Sequence, residues 1–197
     1  MGIEMKLIIA SNNAHKVREI KKILSGKFDE ILSLREANVF HETVEDGHTF
    51  MENALKKARE IVQITDCAAL ADDSGICVDA LGGAPGIYSA RYASSVCCNA
   101  SDEANNALLL ANLRDKEDWS AHYTSAVALV YPDGREVTAE GYMYGKIIDT
   151  PRGDRGFGYD PIFVLDGESR TVAEMTDEEK NAVSHRGKAL ELLLTKI

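Results

Sequence analysis

The sequence contains no G-x-x-x-x-G-K-[ST] run, so any phosphate it binds is not held by a Walker loop. No apolar stretch approaches the roughly 18 residues that cross a bilayer. The N-terminal run Leu7-Ile8-Ile9-Ala10 is too short for a signal-peptide core and reads as a strand. Gly2 is present, but Lys6 stands where a myristoylation signal wants Ser or Thr. No membrane association is therefore expected, and a cytoplasmic protein is. Basic blocks are missing as well. With 22 Lys and Arg against 32 Asp and Glu, the net charge of −10 excludes long nucleic acid as a partner, because phosphate neutralisation supplies most of that affinity. A small phosphorylated ligand stays compatible if a few positive groups converge and a divalent cation bridges the rest. The cysteines Cys67, Cys77, Cys97 and Cys98 contain no C-x-x-C pair and no metal-ligand spacing. Cys67 and Cys77 are expected as reduced core residues, and the adjacent Cys97-Cys98 as thiols in a reducing compartment.

What is there reads as one domain of 197 residues with interspersed strands and helices. Lys6–Ala10 is a short β-prone run followed by the polar turn Ser11–His15. The apolar residues Val17, Ile20, Ile23 and Leu24 then recur at helical spacing. A second strand covers Glu30–Leu34. A helix over Thr49–Gln63 is marked by one face of Phe50, Ala54, Ala58, Ile61 and Val62. Cys67–Ala71 reads as a strand ending in Asp72-Asp73-Ser74-Gly75, with extended chain possible beyond it. Ser101–Leu113 reads as a helix with Ser101 as N-cap. Ser125–Tyr131 and Glu136–Lys146 form a hairpin around Pro132-Asp133-Gly134. Ile162–Leu165 is a strand, and Thr176 with Glu179 has capping-box spacing at the start of a helical C-terminal segment. This pattern predicts an α/β fold with a mixed sheet.

Five stretches have the residue types that site chemistry needs. Ser11-Asn12-Asn13-Ala14-His15-Lys16 opens a helix, where backbone N–H groups and the helix dipole attract phosphate; a capped turn with a solvated lysine is the plain alternative. In Asp72-Asp73-Ser74-Gly75 the side chains alternate across a strand, so the two carboxylates have different jobs, among them holding Mg2+ or taking a proton from water; a turn-forming pair is the alternative. Glu42, Glu45 and Asp46 before Gly47 offer a second metal carboxylate, or form a solvated acidic loop. In Gly156-Phe157-Gly158-Tyr159-Asp160-Pro161, two aromatics separated by glycine suit a planar base, or belong to the core around a bend. Lys180, His185, Arg186 and Lys188 form a cationic C-terminal patch, read either as a phosphate or base clamp or as a solvent-facing surface.

Taken together and in this order, the segments resemble the inosine triphosphate pyrophosphatase family. The resemblance is carried by Ser11-x-Asn13-x-x-Lys16-x-x-Glu19, Phe50-x-Glu52-Asn53-Ala54, Ala71-Asp72-Asp73-Ser74-Gly75, Gly83–Arg91, Gly156–Phe163 and Ser184-His185-Arg186, nearly end to end. Ser94–Ala100 is the least family-like stretch. The resemblance implies a two-lobed α/β domain with a long central mixed sheet flanked by helices, an active-site cleft between the lobes, and a homodimer. It implies Mg2+-dependent hydrolysis of non-standard purine nucleoside triphosphates such as ITP, dITP and XTP to the monophosphate and pyrophosphate. Asp73 matches the general base and metal ligand, with Glu45 as second metal carboxylate and Glu42 as its fallback. Ser11, Asn12, Asn13, Ala14, His15 and Lys16 match the triphosphate turn, and Ser74 a substrate contact. Phe157, Gly158, Tyr159 and Asp160 match the nucleoside loop, and Lys180, His185 and Arg186 the substrate contacts of the C-terminal segment. A hydrolase of another nucleotide is a second reading, although the Nudix pattern of clustered glutamates is absent. A non-catalytic nucleotide sensor is a third, which the presence of both Asp73 and Lys16 disfavours.

Overall fold

The computed structural model describes residues 6–94 and 99–197, so Cys97 and Cys98 lie outside the described residues. Strand β1 (Lys6–Ile9) leads into helix α1 (Ala14–Ile23), whose N-cap is Asn13 and whose last turn carries Lys21 and Lys22 against the negative end of the dipole. Strand β2 (Glu30–Ser33) pairs parallel with β1. Helix α2 (Phe50–Thr65) starts at a Thr49 cap that accepts the Glu52 N–H, and buries Asn53, Ala54, Ala58 and Ile61 on one face. It ends at Asp66, whose left-handed backbone stops the helix.

Strand β3 (Ala68–Val78) also pairs parallel with β1. Helix α3 (Asp102–Leu113) follows, with Ser101 as its cap. Strands β4 (Ser120–Val130) and β5 (Glu136–Ile147) are joined by a tight turn in which Gly134 takes a positive φ, and β6 (Phe163–Leu165) pairs antiparallel with β5. Helices α4 (Asp177–Val183) and α5 (His185–Leu194) close the chain, with the Thr176/Glu179 capping box in place at the start of α4. The sheet order is β2-β1-β3-β4-β5-β6, which is the mixed α/β arrangement expected.

The strand read over Cys67–Ala71 and the extended chain beyond Gly75 are one element: β3 runs without a break to Val78, with both aspartates inside it. The reason is electrostatic: Asp72 is met by two cations and a hydroxyl, so its charge need not reach water to be stable. Gly75 helps the strand continue. A Cβ there would sit 2.3 Å from Ser89 Oγ and 2.5 Å from the Gly86 carbonyl, so only glycine admits that loop.

The contacts divide the chain into two compact units: residues up to Asp73 with Ser125–Gly141 and Arg186–Ile197, and Ser74–Thr124 with Tyr142–His185. In the first unit the period-two alternation of β1 fills two clusters. Leu7 and Ile9 pack with Ile20, Leu70 and Leu190, whereas Ile8 and Ala10 pack with Ala58 and Ile61. The second unit has its own core of Ile76, Val78, Leu109, Leu113, Tyr123 and Phe163, among others.

Candidate active site

In the first unit, Asp72 and Asp73 point to opposite sides of β3, as strand geometry requires, and meet different partners. Asp72 is fully buried. Its Oδ2 lies 2.8 Å from Lys16 Nζ and 3.2 Å from Arg186 Nη2, and Ser125 donates its hydroxyl to Oδ1. Arg186 is 1% exposed and also binds Glu19 through Nη1. Burial opposes the charge on Asp72, but Arg186, Lys16 and the Ser125 hydrogen bond outweigh it, and hold the carboxyl well below the usual carboxylate range.

Asp73 faces a different set. Lys57 Nζ donates to Asp73 Oδ1 at 2.8 Å, to Glu45 Oε1 at 2.8 Å and to the Asp72 carbonyl at 2.9 Å, which uses all three of its protons. The buried Asn53 amide reaches Asp73 Oδ2 at 3.3 Å and accepts the Gly47 N–H at 2.9 Å, tying the acidic loop to α2. A Cβ at Gly47 would lie 2.6 Å from that same Asn53 oxygen. Burial raises the proton affinity of Asp73 above the ordinary aspartate value; Lys57 and Lys16 offset part of the rise, and Glu45 adds to it. Lys57 loses to burial but gains more from Asp73 and Glu45, so its ammonium is held more firmly than usual.

Two carboxylate oxygens within 2.8 Å of one ammonium are no farther apart than about twice that distance. They present hard oxygen donors to a single positive centre, a set that fits Mg2+, which takes one or two carboxylates and fills its other positions with water and phosphate oxygen. Among the described residues no group of three or more His, Cys, Asp or Glu could hold a metal ion. Glu42 is exposed on the loop, and Asp46 pairs with Lys56 at 2.6 Å, so Glu45 is the loop acid brought to Asp73.

The turn before α1 is built as a cap. Asn13 Oδ1 accepts the His15 and Lys16 N–H groups at 2.9 and 3.1 Å, and Ser11 Oγ accepts the Asn13 N–H. Asn12 donates to the His41 carbonyl at 3.1 Å, while Ala14 and His15 are exposed. A cavity of about 420 Å3 in this unit, lined by Ile8, Val39, Phe40, His41, Ile64 and Cys67 among others, contains none of the predicted site residues.

In the second unit the glycine-rich loop folds around Asp160. A Cβ at Gly156, where φ is +75°, would lie 2.1 Å from Asp160 Oδ2, so the loop needs glycine there. Asp160 accepts the Phe157 N–H at 2.9 Å, Lys180 Nζ at 2.8 Å and the Tyr123 hydroxyl at 3.3 Å. Lys180 Nζ also sits 4.6 Å from the centre of the Phe157 ring, a cation–π contact. His185 is buried and stacks on Tyr123 with ring centres 4.8 Å apart.

The expectation of two aromatics flanking a base changes here. Tyr159 is 4% exposed, lies in the core and donates its hydroxyl to the Ser89 carbonyl at 2.8 Å, whereas Phe157 stays part-exposed. Of the cationic C-terminal patch, Lys180, His185 and Arg186 are buried and Lys188 is exposed. Ser74, at the start of this unit, is part-exposed. Cys67 and Cys77 are free thiols, and both are half-buried instead of fully buried.

Sequence reasoning missed Lys57, Asn53, Ser125 and Tyr123. For Lys57 and Asn53 a signal existed: they sit four residues apart on the helix that follows the acidic loop, and a polar face there faces inward. Ser125 and Tyr123 lie inside a strand, where no local pattern marks them.

The sequence profile of the Ham1 family matches residues 7–196. A dITP/XTP pyrophosphatase of Geobacter sulfurreducens is 51% identical over 190 residues, covering 95% of this chain and 94% of its own length. The solved structure of a HAM1 protein from Coxiella burnetii superposes with a TM-score of 0.88 at 39% identity, covering 98% of this chain and all of the other. That of a nucleoside-triphosphatase, dITP/XTP pyrophosphatase, from Mycobacterium abscessus gives 0.77 at 49% identity, covering 96% and 99%. With the profile matched over almost the whole chain and the fold shared at these identities, this chain belongs to the Ham1 family.

Proposed function

We infer that this chain is a nucleoside triphosphate pyrophosphohydrolase that acts on non-standard purine nucleotides, dITP, ITP and XTP, and releases the monophosphate and pyrophosphate. The observation that carries the reading is the convergence of Glu45 and Asp73 on one Lys57 ammonium, beside a buried Asp72 that is separately neutralised. This arrangement separates two duties. Asp72 spends its charge locking Lys16, Arg186 and Ser125 in place, and Asp73, on the other side of the strand beside Glu45, is left to hold the metal and accept a proton from water. The relatives' names supply the substrate class, and the chemistry of the two residue sets agrees with it.

In the reaction, Asp73 takes one proton from a water as its oxygen forms a bond to the α-phosphorus, and the bond from that phosphorus to the bridging oxygen of the β-phosphate breaks. Pyrophosphate leaves with the electron pair. Mg2+, held by Glu45 and Asp73, would neutralise the phosphate oxygens and make pyrophosphate a better leaving group. Lys16 and Lys57 supply further positive charge in a chain whose net charge of −10 otherwise repels the substrate. Ser11, Asn12, Asn13, Ala14 and His15 receive the phosphate chain, with Ser74 as a further contact. Phe157 stacks on the base, the backbone of Gly158, Tyr159 and Asp160 frames it, and Lys180 and His185 hold the surrounding shell, while Arg186 acts through Asp72. The working form is a cytoplasmic homodimer in which the chain acts as a single two-lobed domain.

Incubation with Mg2+ and a panel of triphosphates tests this. ITP and XTP should each give the monophosphate and pyrophosphate in equal amounts, ATP should turn over far more slowly, and EDTA should abolish turnover. Equal rates on ATP and ITP would contradict the substrate class.

A further inference from the structure

We propose that helix α3 is the element that positions the base loop, through a two-point clamp on Gly158 made by Asp102 and Asn106. The proposal rests on reading residues 156–160 as the base loop. Gly158 N–H donates to Asp102 Oδ2 at 2.6 Å, and the Asn106 side-chain amide donates to the Gly158 carbonyl at 3.2 Å. The first bond fixes the peptide that links Phe157 to Gly158, and the second fixes the peptide that links Gly158 to Tyr159. Asp102 and Asn106 are four residues apart and so share one face of α3.

The loop needs such a clamp. Gly156 and Gly158 both adopt positive φ, where glycine is freest, so backbone preference alone does not hold the Phe157 ring in one place. α3 supplies the rigid frame, because Leu109 and Leu113 are fully buried in the same core as Tyr159. Asn106 is 9% exposed, and its Oδ1 is buried without a hydrogen-bond partner among the described residues. An apolar side chain would avoid that loss, so the amide is explained by its one bond, the bond to Gly158. The neighbouring Asn105 extends the frame. It accepts the Ala93 N–H at 2.8 Å and donates to the Ala90 carbonyl at 3.2 Å, which fixes the turn whose Ser89 carbonyl receives the Tyr159 hydroxyl. One helix therefore grips the loop on both sides of Phe157's neighbouring glycine and at Tyr159.

Asp102 and Asn106 are positioning residues, and their loss should move base affinity and leave the chemical step alone. The test compares wild type with Asp102→Ala, Asp102→Asn and Asn106→Leu, by steady-state kinetics on ITP with Mg2+ and by amide hydrogen exchange of the protein without nucleotide. Asp102→Ala should raise KM for ITP by about tenfold, the scale of one lost charge-assisted hydrogen bond, and Asn106→Leu by about threefold to tenfold, the scale of a lost neutral one, with kcat within about threefold in both. Exchange over residues 156–160 should quicken while β1 and α1 stay protected. Asp102→Asn keeps an acceptor for the Gly158 N–H and should recover most of the loss. Faster exchange with an unchanged KM would overturn the proposal, because the clamp would not serve binding. A lowered KM would overturn it too, since Asp102 would then compete with the substrate. If wild type fails to hydrolyse ITP, the proposed function falls, whereas unchanged exchange in all three variants would refute the clamp by itself.

Discussion

Asp73 is distinguished from Asp72 by its surroundings alone, since both are aspartates on one strand. Asp72 has its charge consumed by Lys16 and Arg186, whereas Asp73 has an elevated proton affinity and shares Lys57 with Glu45. Asp73→Asn keeps the shape, removes the proton acceptor and should lower kcat by at least about 10²-fold with the fold intact, the usual scale for a lost general base. Circular dichroism and single-turnover rates check both halves; a near-normal kcat would remove Asp73 from the chemistry. Strand alternation made it legible that the two aspartates face different surroundings, while the roles proposed for Asp73 and Glu45 come from the family resemblance. What was not legible is how the charges are distributed. Arg186 looked like a group reaching for a base, yet its terminal nitrogens bind Glu19 and Asp72, pairings that connect residues 167 and 114 positions apart. Tyr159 looked like half of a base sandwich because a sequence shows its aromatic type and not its burial.

Among the elements, β3 is the one whose length the sequence left open. Two adjacent acids look like the end of a strand, since charge favours water, and the strand continues because the partners of those acids come from α1, α2, β4 and α5. No local window contains that information. Helix boundaries were read to within a few residues because their caps are local: Asn13, Thr49, Ser101 and Thr176 all act as N-caps. The continuity of β3 gives a prediction at Gly75. Gly75→Ala places a methyl group 2.3 Å from Ser89 Oγ, so the 86–91 turn must shift, and stability should fall by about 1–3 kcal/mol, the ordinary cost of overpacking. Urea unfolding measures it, and an unchanged midpoint would mean that the turn does not pack against the strand as described.

At the scale of the whole molecule, the chain carries a net charge of −10 and still keeps several cations buried, each tied to a carboxylate. Their contribution to stability depends on pH in a direction the Asp72 environment fixes. Its carboxyl has a lower proton affinity folded than unfolded, so the stability it supplies is complete above the ordinary aspartate value of about 3.9 and drains away as pH falls below it. Asp72→Asn takes the neutralising charge from the part-buried Lys16 and leaves the buried Arg186 with Glu19 alone, and should cost about 3–5 kcal/mol at pH 7. In EDTA, the gap in urea stability between wild type and Asp72→Asn should narrow between pH 5 and pH 3; a constant gap would show that Asp72 is not held ionised by these partners. The account as a whole turns on where water attacks. Hydrolysis of ITP in 18O-labelled water with Mg2+, followed by mass spectrometry of both products, reads this directly. Attack at the α-phosphorus, with Asp73 accepting the proton, puts the label in IMP and leaves pyrophosphate unlabelled. Label in pyrophosphate or in orthophosphate would contradict it.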